Sequence, residues 1–256
     1  MAKPWLTLSA AEDETLDGVG GSISVLQKRK GQRLASDDVL LAAMSVKFAP
    51  KAHWMLDLGT GKGSVALMAL ASQPRLRAIG VEAYPESFRL AVRNAYLNQL
   101  NHRFTPVFSD IRAFVGLRWS HSFDVITGAP PFIKVGHGVL PANEQRRYGR
   151  FELRGGIEDY CECAASLLSK ESGKCIMLMD AKNTSRTRNA FSESGLFVER
   201  IIDVHPRPNL PPIYQIFIGS YTKVPLQTYP ISMRGLNSER WSEEYQTLRT
   251  CLGLDN

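Results

Sequence analysis

Three acidic residues close three short apolar runs: Asp57 in HWMLDL, Glu82 in LRAIGVE and Asp110 in FTPVFSD. Asp57 is followed at once by Leu58-Gly59-Thr60-Gly61-Lys62-Gly63. Glycines at 59, 61 and 63 allow a tight strand-to-helix turn and a close approach of a ligand to the backbone. An anion at 57 would repel a pyrophosphate and attract a ligand ammonium. Glu82 lies about 20 residues past the turn, where a carboxylate can accept from both hydroxyls of a ribose. Asp110 ends the next strand, within reach of an adenine amino group. Acids after three successive strands fit S-adenosylmethionine (SAM), with S-adenosylhomocysteine as product, better than a dinucleotide. NAD is the competing ligand. A P-loop is excluded by spacing, because Gly61-Lys62 runs into Gly63 rather than Ser or Thr.

The elements that would position these residues alternate. Residues 1–20 are polar and glycine-ended and read as a loose arm, and 22–35 (SISVLQKRKGQRLA) as a small hairpin turning at KRKG. Ser36-Asp37-Asp38 before VLLAAMSVKF predicts a helix capped by Ser36 or Asp37. Strands are predicted at 53–58, 76–82, 104–110, 123–128 and 174–180, and helices at 63–73, 85–100, 157–170 and 181–194. A long loop, 129–155, precedes the third of these helices. Residues 196–205 and 213–221 read as a final antiparallel pair around PRPNLPP, and 238–252 as a last helix. Such alternation predicts an α/β fold: a Rossmann-like, mostly parallel sheet of seven strands, the last antiparallel, with helices on both faces and an N-terminal extension.

Composition narrows the class. No apolar run approaches the ~20 residues of a membrane span. The opening MAKPWLTLSAAEDET lacks the apolar core of a secretory signal. No membrane association and a cytoplasmic location are therefore expected. Four cysteines contain no CxxC pair and the histidines lack ligand spacing, so neither a disulfide framework nor a metal is expected. Lys plus Arg is 31 against 25 for Asp plus Glu, a net charge of +6. That balance permits a polyanionic partner without requiring one.

The run FDVITGAPPF (123–132) ends the fourth strand of the alternating region. With it, the chain resembles the class I SAM-dependent methyltransferases, and within them the group containing the bacterial valine-tRNA adenine-N6 methyltransferases. Those proteins carry Asn-Pro-Pro-Tyr/Phe at this place; here it is Ala129-Pro130-Pro131-Phe132. Ser36-Asp37-Asp38-Val39-Leu40-Leu41 resembles their Thr-Asp-Gly-Ile-Leu-Leu, and DLGTGKG their SAM loop. Gly80-Val81-Glu82 and Ser109-Asp110 resemble their ribose-side and adenine-side positions, and Glu144 to Tyr148 their basic, aromatic loop. Tyr229-Pro230-Ile231 and Ser242 to Tyr245 resemble their C-terminal strand and helix.

The resemblance implies SAM contacts from Asp37, Asp57, Gly59, Thr60, Gly61, Gly63, Glu82, Asp110 and Gly128, and a methyl-acceptor site at 129–132. It implies a structured RNA substrate, tRNA or rRNA, methylated on adenine N6. Arg146, Arg147, Tyr148 and Arg150 would then lie beside the acceptor pocket, on phosphates and bases. Residues 1–50 would form an arm, hairpin and helix covering the SAM site, and 51–256 the methyltransferase domain. One position departs from the pattern. The family's Asn, or Asp, accepts a hydrogen bond from the exocyclic amine, and Ala129 cannot. Three readings stay open. The amine is held by main chain or by a group from elsewhere. The acceptor is a different atom, on a protein or a small molecule. Or the chain is a catalytically degenerate SAM- or RNA-binding assembly factor.

Overall fold

Neighbouring residues on the central strands face opposite cores. Met55 packs into one apolar cluster and Leu56 into the other; Ile176 and Met177 divide in the same way. This period of two, apolar on both faces, is what a sheet covered by helices on each side requires. The computed structural model describes residues 6–114, 122–236 and 239–254.

Chain order is β1 (Glu14–Gly20), β2 (Ile23–Lys28), α1 (Ser36–Phe48), β3 (Trp54–Leu58), α2 (Ser64–Ser72), β4 (Arg77–Glu82), α3 (Pro85–Leu97), β5 (Phe104–Phe108), α4 (Ile111–Phe114) and β6 (Val125–Gly128). It continues with α5 (Glu144–Arg150), α6 (Ile157–Leu167), β7 (Lys174–Asp180), a 3-10 turn (Ala181–Asn183) running into α7 (Thr184–Glu193), β8 (Phe197–His205), β9 (Tyr214–Ser220), β10 (Gln227–Ser232) and α8 (Glu243–Cys251). The large sheet has the order β10-β8-β9-β7-β6-β3-β4-β5. Among the described residues, β9 alone runs against its neighbours in this sheet. From β3 the chain steps outward to β4 and β5, then returns to β6 on the other side. The crevice at the carboxyl ends of β3 and β6 is therefore the switch point where open α/β sheets bind ligands.

The α/β class and mostly parallel sheet hold, with eight strands where seven were expected. The added strand, β10, pairs parallel to β8 at the edge, so the last strand is parallel and the antiparallel one is its predecessor in sequence. Four of its six residues are exposed and it contains Pro230, which suits an edge strand and hides the apolar signal. The hairpin is also displaced. It pairs β1 with β2 and turns at Gly20-Gly21, both at positive φ, not at KRKG. Part of the expected loose arm is thus a strand. The α1 N-cap is Ala35, whose N–H donates to Asp38 Oδ2 at 3.0 Å. A carboxylate three residues inside the helix takes the cap's N–H, so Ser36 and Asp37 stand in the first turn. The expected 129–155 loop contains α5, capped by Asn143, whose Oδ1 accepts from Arg146 N at 3.0 Å.

The hairpin is fastened to α3. Asn94 exchanges both backbone bonds with Leu26 (2.7 and 3.0 Å) and also donates to the Lys62 carbonyl at 2.9 Å. One buried amide thus ties the N-terminal segment, α3 and the glycine loop together. Among the described residues no helix is long and apolar enough to cross a membrane.

Candidate active site

The glycine loop between β3 and α2 is held from three sides. Gly59, Gly61 and Gly63 have φ of +65°, +59° and +86°, a region L side chains enter at a cost of about 1–2 kcal/mol. A Cβ on Gly59 would run into the Tyr160 hydroxyl, and one on Gly63 would lie 2.7 Å from the Phe104 ring. Around Gly61 the space is open. Thr60 N donates to the Val81 carbonyl at 2.9 Å and Gly61 N to Glu82 Oε2 at 2.8 Å.

The three strand-end acids line one cavity of about 630 Å³, a size typical of small-molecule sites. Asp57 is 2% exposed. Its oxygens accept from Thr60 Oγ1 at 2.6 Å and Thr127 Oγ1 at 2.7 Å. Burial pushes its carboxyl up to about 6, against the pull of the two hydroxyls, and the charges of Asp38 and Glu82 add to the rise. Glu82 accepts from Gly61 N and, at 2.6 Å, from Tyr84 N. Burial raises its carboxyl as well. Asp110 is paired with Arg112 at 2.7 Å, and that hydrogen bond leads the causes that lower its carboxyl. An ionised carboxylate offers about four lone-pair sites. Asp57 and Glu82, with one protein donor on each oxygen, keep capacity for donors of a ligand.

On the α1 side, burial and the Asp38 charge push Asp37 up to about 6. Asp38 itself accepts from Ser64 Oγ at 2.6 Å and lies 3.7 Å from Lys62 Nζ. Gly128 sits deeper; a Cβ there would lie 2.8 Å from the Tyr160 ring and 2.9 Å from Met177 Sδ.

The other half of the cavity is bounded by Ala129, Pro130, Pro131 and Phe132 after β6, by Asp180 at the end of β7, and by Ile213 and Tyr214 at the start of β9. Ala129 is exposed, whereas both prolines are buried. The Phe132 and Tyr214 rings lie 5.9 Å apart at 49°. From the basic loop, Tyr148 and Arg150 reach the rim, joined by Arg154. The Arg154 guanidinium stacks on Tyr148 at 4.3 Å and donates to the Ala83 carbonyl. Arg146 and Arg147 are not brought to the cavity; they donate to the carbonyls of Gly31 and Pro141.

Asp180, Tyr214, Tyr160 and Arg154 escaped the sequence reading as site residues. The one signal available was an aromatic, Tyr214, two residues after the last proline of the PRPNLPP turn. Among the described residues no group of His, Cys, Asp and Glu could hold a metal. Cys161, Cys163 and Cys175 are buried, and desolvation raises each thiol.

Residues 35–143 match the methyltransferase small domain. The glycine turn, Glu82, Asp110 and Ala129 to Phe132 all fall inside that stretch. Through that stretch the chain resembles the SAM-dependent methyltransferases. It resembles the tRNA1(Val) (adenine(37)-N6)-methyltransferase of Yersinia pseudotuberculosis, with 28% identity over 190 residues, 73% of this chain and 72% of that one. The protein of the same name from Yersinia enterocolitica is 28% identical over 188 residues. Among solved structures, protein Atu636 from Agrobacterium tumefaciens aligns with a TM-score of 0.65 at 17% identity, covering 84% of this chain and 96% of that one. A ribosomal protein L11 methylase from Lactobacillus delbrueckii aligns at 0.55 and 15%, covering 81% and 99%. These structural likenesses concern the fold alone.

Proposed function

We propose that this protein is a SAM-dependent methyltransferase that acts on the exocyclic N6 of an adenine in structured RNA, tRNA before rRNA, in the cytoplasm. The observation that carries this reading is the acceptor half of the cavity. Two aromatic rings, Phe132 and Tyr214, stand there beside Pro130 and the open face of Ala129, continuous with the glycine loop. The relatives named as tRNA adenine-N6 methyltransferases support it.

The fit of the cavity to SAM rests on its hydrogen-bond acceptors and its space. Acids stand at three strand ends, and the glycine loop leaves open room at Gly61. SAM supplies an electrophilic methyl on a sulfonium. Glu82 accepts from the ribose hydroxyls through lone pairs left free by Gly61 and Tyr84. Asp110 faces the adenine. Asp57, held by two hydroxyls, fixes Thr60 and contributes negative charge with Asp37 toward the ammonium end. Gly59, Thr60, Gly61, Gly63 and Gly128 shape the wall. The described part of residues 1–50, from Leu6 on, serves as an arm over the cofactor end, supported by Asp37, Asp38 and Leu41 in the cavity wall, and the described part of 51–256 as the catalytic domain; residues 1–5 of the arm lie outside the described residues.

On the acceptor side Phe132 stacks on the base and the main-chain carbonyl of Pro130 accepts from its amine. Arg150, at the rim, meets phosphate, and Tyr148 offers a stacking face. No ion pair or side-chain hydrogen bond of Arg150 is found among the described residues, so its charge is available to RNA. Arg146 and Arg147 belong to the outer part of the same surface.

The test is turnover on total tRNA with labelled SAM, followed by mass spectrometry of the nucleosides. N6-methyladenosine is expected, and Phe132→Ala is expected to abolish it while SAM affinity stays near that of the parent. RNA affinity should fall steeply with salt, and Arg150→Ala should reduce the salt slope by about 1. Label on protein or on a small molecule would replace this reading with the second acceptor class. RNA binding with no product would replace it with a non-catalytic binder.

A further inference from the structure

The family pattern has an amide or carboxylate oxygen at position 129 and this chain has a methyl group, yet a carboxylate faces the same space from the next strand. In the parallel pairing of β6 and β7, Gly128 lies opposite Met177. Asp180 stands three residues beyond Met177, so it is about 10 Å farther along a strand that runs about 4.8 Å to the side. That sets it level with the segment that turns away at 129–132. Asp180 lines the acceptor half of the cavity with Ala129 and Phe132. It is paired across the ladder with Tyr214, whose ring meets Phe132 at 5.9 Å. The link is reinforced by Ala181 N, which donates to the Ile213 carbonyl at 3.1 Å.

Its carboxylate is only partly used. Asp180 Oδ1 accepts from Lys182 N at 2.8 Å, the cap of the 3-10 turn. No protein donor is found on Oδ2 among the described residues. The cap fixes the carboxyl and leaves the second oxygen for a donor in the cavity. Asp37, the other acid in reach of Tyr214, stands on α1 beside Asp38 and Lys62, on the glycine-loop side.

We propose that Asp180 supplies the acceptor missing at position 129: its Oδ2 accepts a hydrogen bond from the target amine and orients the nitrogen lone pair. This rests on the adenine-N6 reading. The nitrogen lone pair forms the N–C bond as the methyl leaves the sulfonium, and the sulfur keeps the electron pair of the broken C–S bond. The N–H proton passes to Asp180 and from there to water. A lone acceptor oxygen therefore serves the same step from β7 that the relatives' motif serves from the end of β6.

The experiment compares the full chain with Asp180→Ala, Ala129→Asn and the double variant, reading kcat, RNA KM, and SAM and RNA affinities by calorimetry. Asp180→Ala should lower kcat about 10²–10³-fold, the effect of one positioned hydrogen bond. RNA KM and both affinities should stay within about threefold, because one amine contact adds little to binding through many phosphates. In the double variant, the amide introduced by Ala129→Asn should recover at least tenfold of the lost kcat. Loss of the 3-10 cap alone cannot be repaired from position 129, so rescue separates chemistry from folding. A kcat for Asp180→Ala within threefold of the parent, or a loss that Ala129→Asn does not rescue, overturns the inference and leaves the adenine-N6 reading standing. A parent that forms no N6-methyladenosine overturns both.

Discussion

Removing the Glu82 carboxylate tests the cofactor end of the cavity most directly. In the structure its two oxygens accept from Gly61 N at 2.8 Å and Tyr84 N at 2.6 Å. Hydrogen bonds to a charged group are worth about 1.5–3 kcal/mol each net. Glu82→Ala forfeits both and frees the glycine loop on that side. Part of the loss is returned, because burial disfavours the charge in the parent, so a stability decrease of about 2 kcal/mol is expected. On the proposed reading, SAM would lose in addition the acceptor of its ribose hydroxyls. A cost of about 1.5–3 kcal/mol corresponds to about 10- to 150-fold in Kd. Glu82→Gln should fall between, since its oxygen keeps one backbone donor while its NH2 opposes the other. Isothermal titration with SAM and with S-adenosylhomocysteine, beside thermal unfolding, measures both effects. A Glu82→Ala variant that binds SAM within twofold of the parent would refute the assignment.

SAM affinity should weaken as pH falls through about 6, where Asp37 and Asp57 become protonated; one such group costs about tenfold at pH 5. The unliganded protein should behave oppositely. These two folded-state values are raised, so the native state binds more protons than the unfolded one between about pH 4 and 6, and their contribution to stability falls as pH rises. Titration at pH 5 and 7 and thermal unfolding of the parent against Asp57→Asn check the two signs; a pH-independent SAM affinity would contradict the first. Gly59→Ala and Gly61→Ala share a backbone cost of about 1–2 kcal/mol, but only the first drives a Cβ into Tyr160. Gly59→Ala should therefore lower Tm by several degrees more, whereas Gly61→Ala should chiefly impair SAM binding; equal Tm values would contradict this.

The central part of the fold could be read from sequence because each element there carries its own signal. Between Trp54 and Phe108, strands are short apolar runs and helices follow glycine or proline starts, so β3, α2, β4, α3 and β5 fall within a few residues of expectation. The acids close their strands for the same local reason. Signals fail where an element is stabilised mainly from outside. Arginines and a glycine make α5 look like loop, yet Gln145 anchors it, accepting from Gln32 N at 2.8 Å and donating to Ser87 Oγ at 3.0 Å. The edge strand β10 has little apolar content because one long side of it has no neighbour in the sheet.

By itself the sequence determined which residues line the glycine-loop end of the cavity, since Asp57, Gly59, Gly61 and Glu82 lie within 26 consecutive residues of a single βαβ unit. A local motif builds its own geometry, because the turn that places the glycines also fixes the strand ends. Only the tertiary structure decided what shares the cavity with Ala129. Asp180 and Tyr214 are 51 and 85 residues farther along the chain. They reach the cavity that Phe132 lines because β7 lies between β6 and β9 in the sheet. The same folding turned Arg146 and Arg147 onto backbone carbonyls and left Arg150 at the rim. Which of several like charges faces a ligand depends on helix rotation and on what lies beneath the helix, and composition carries neither.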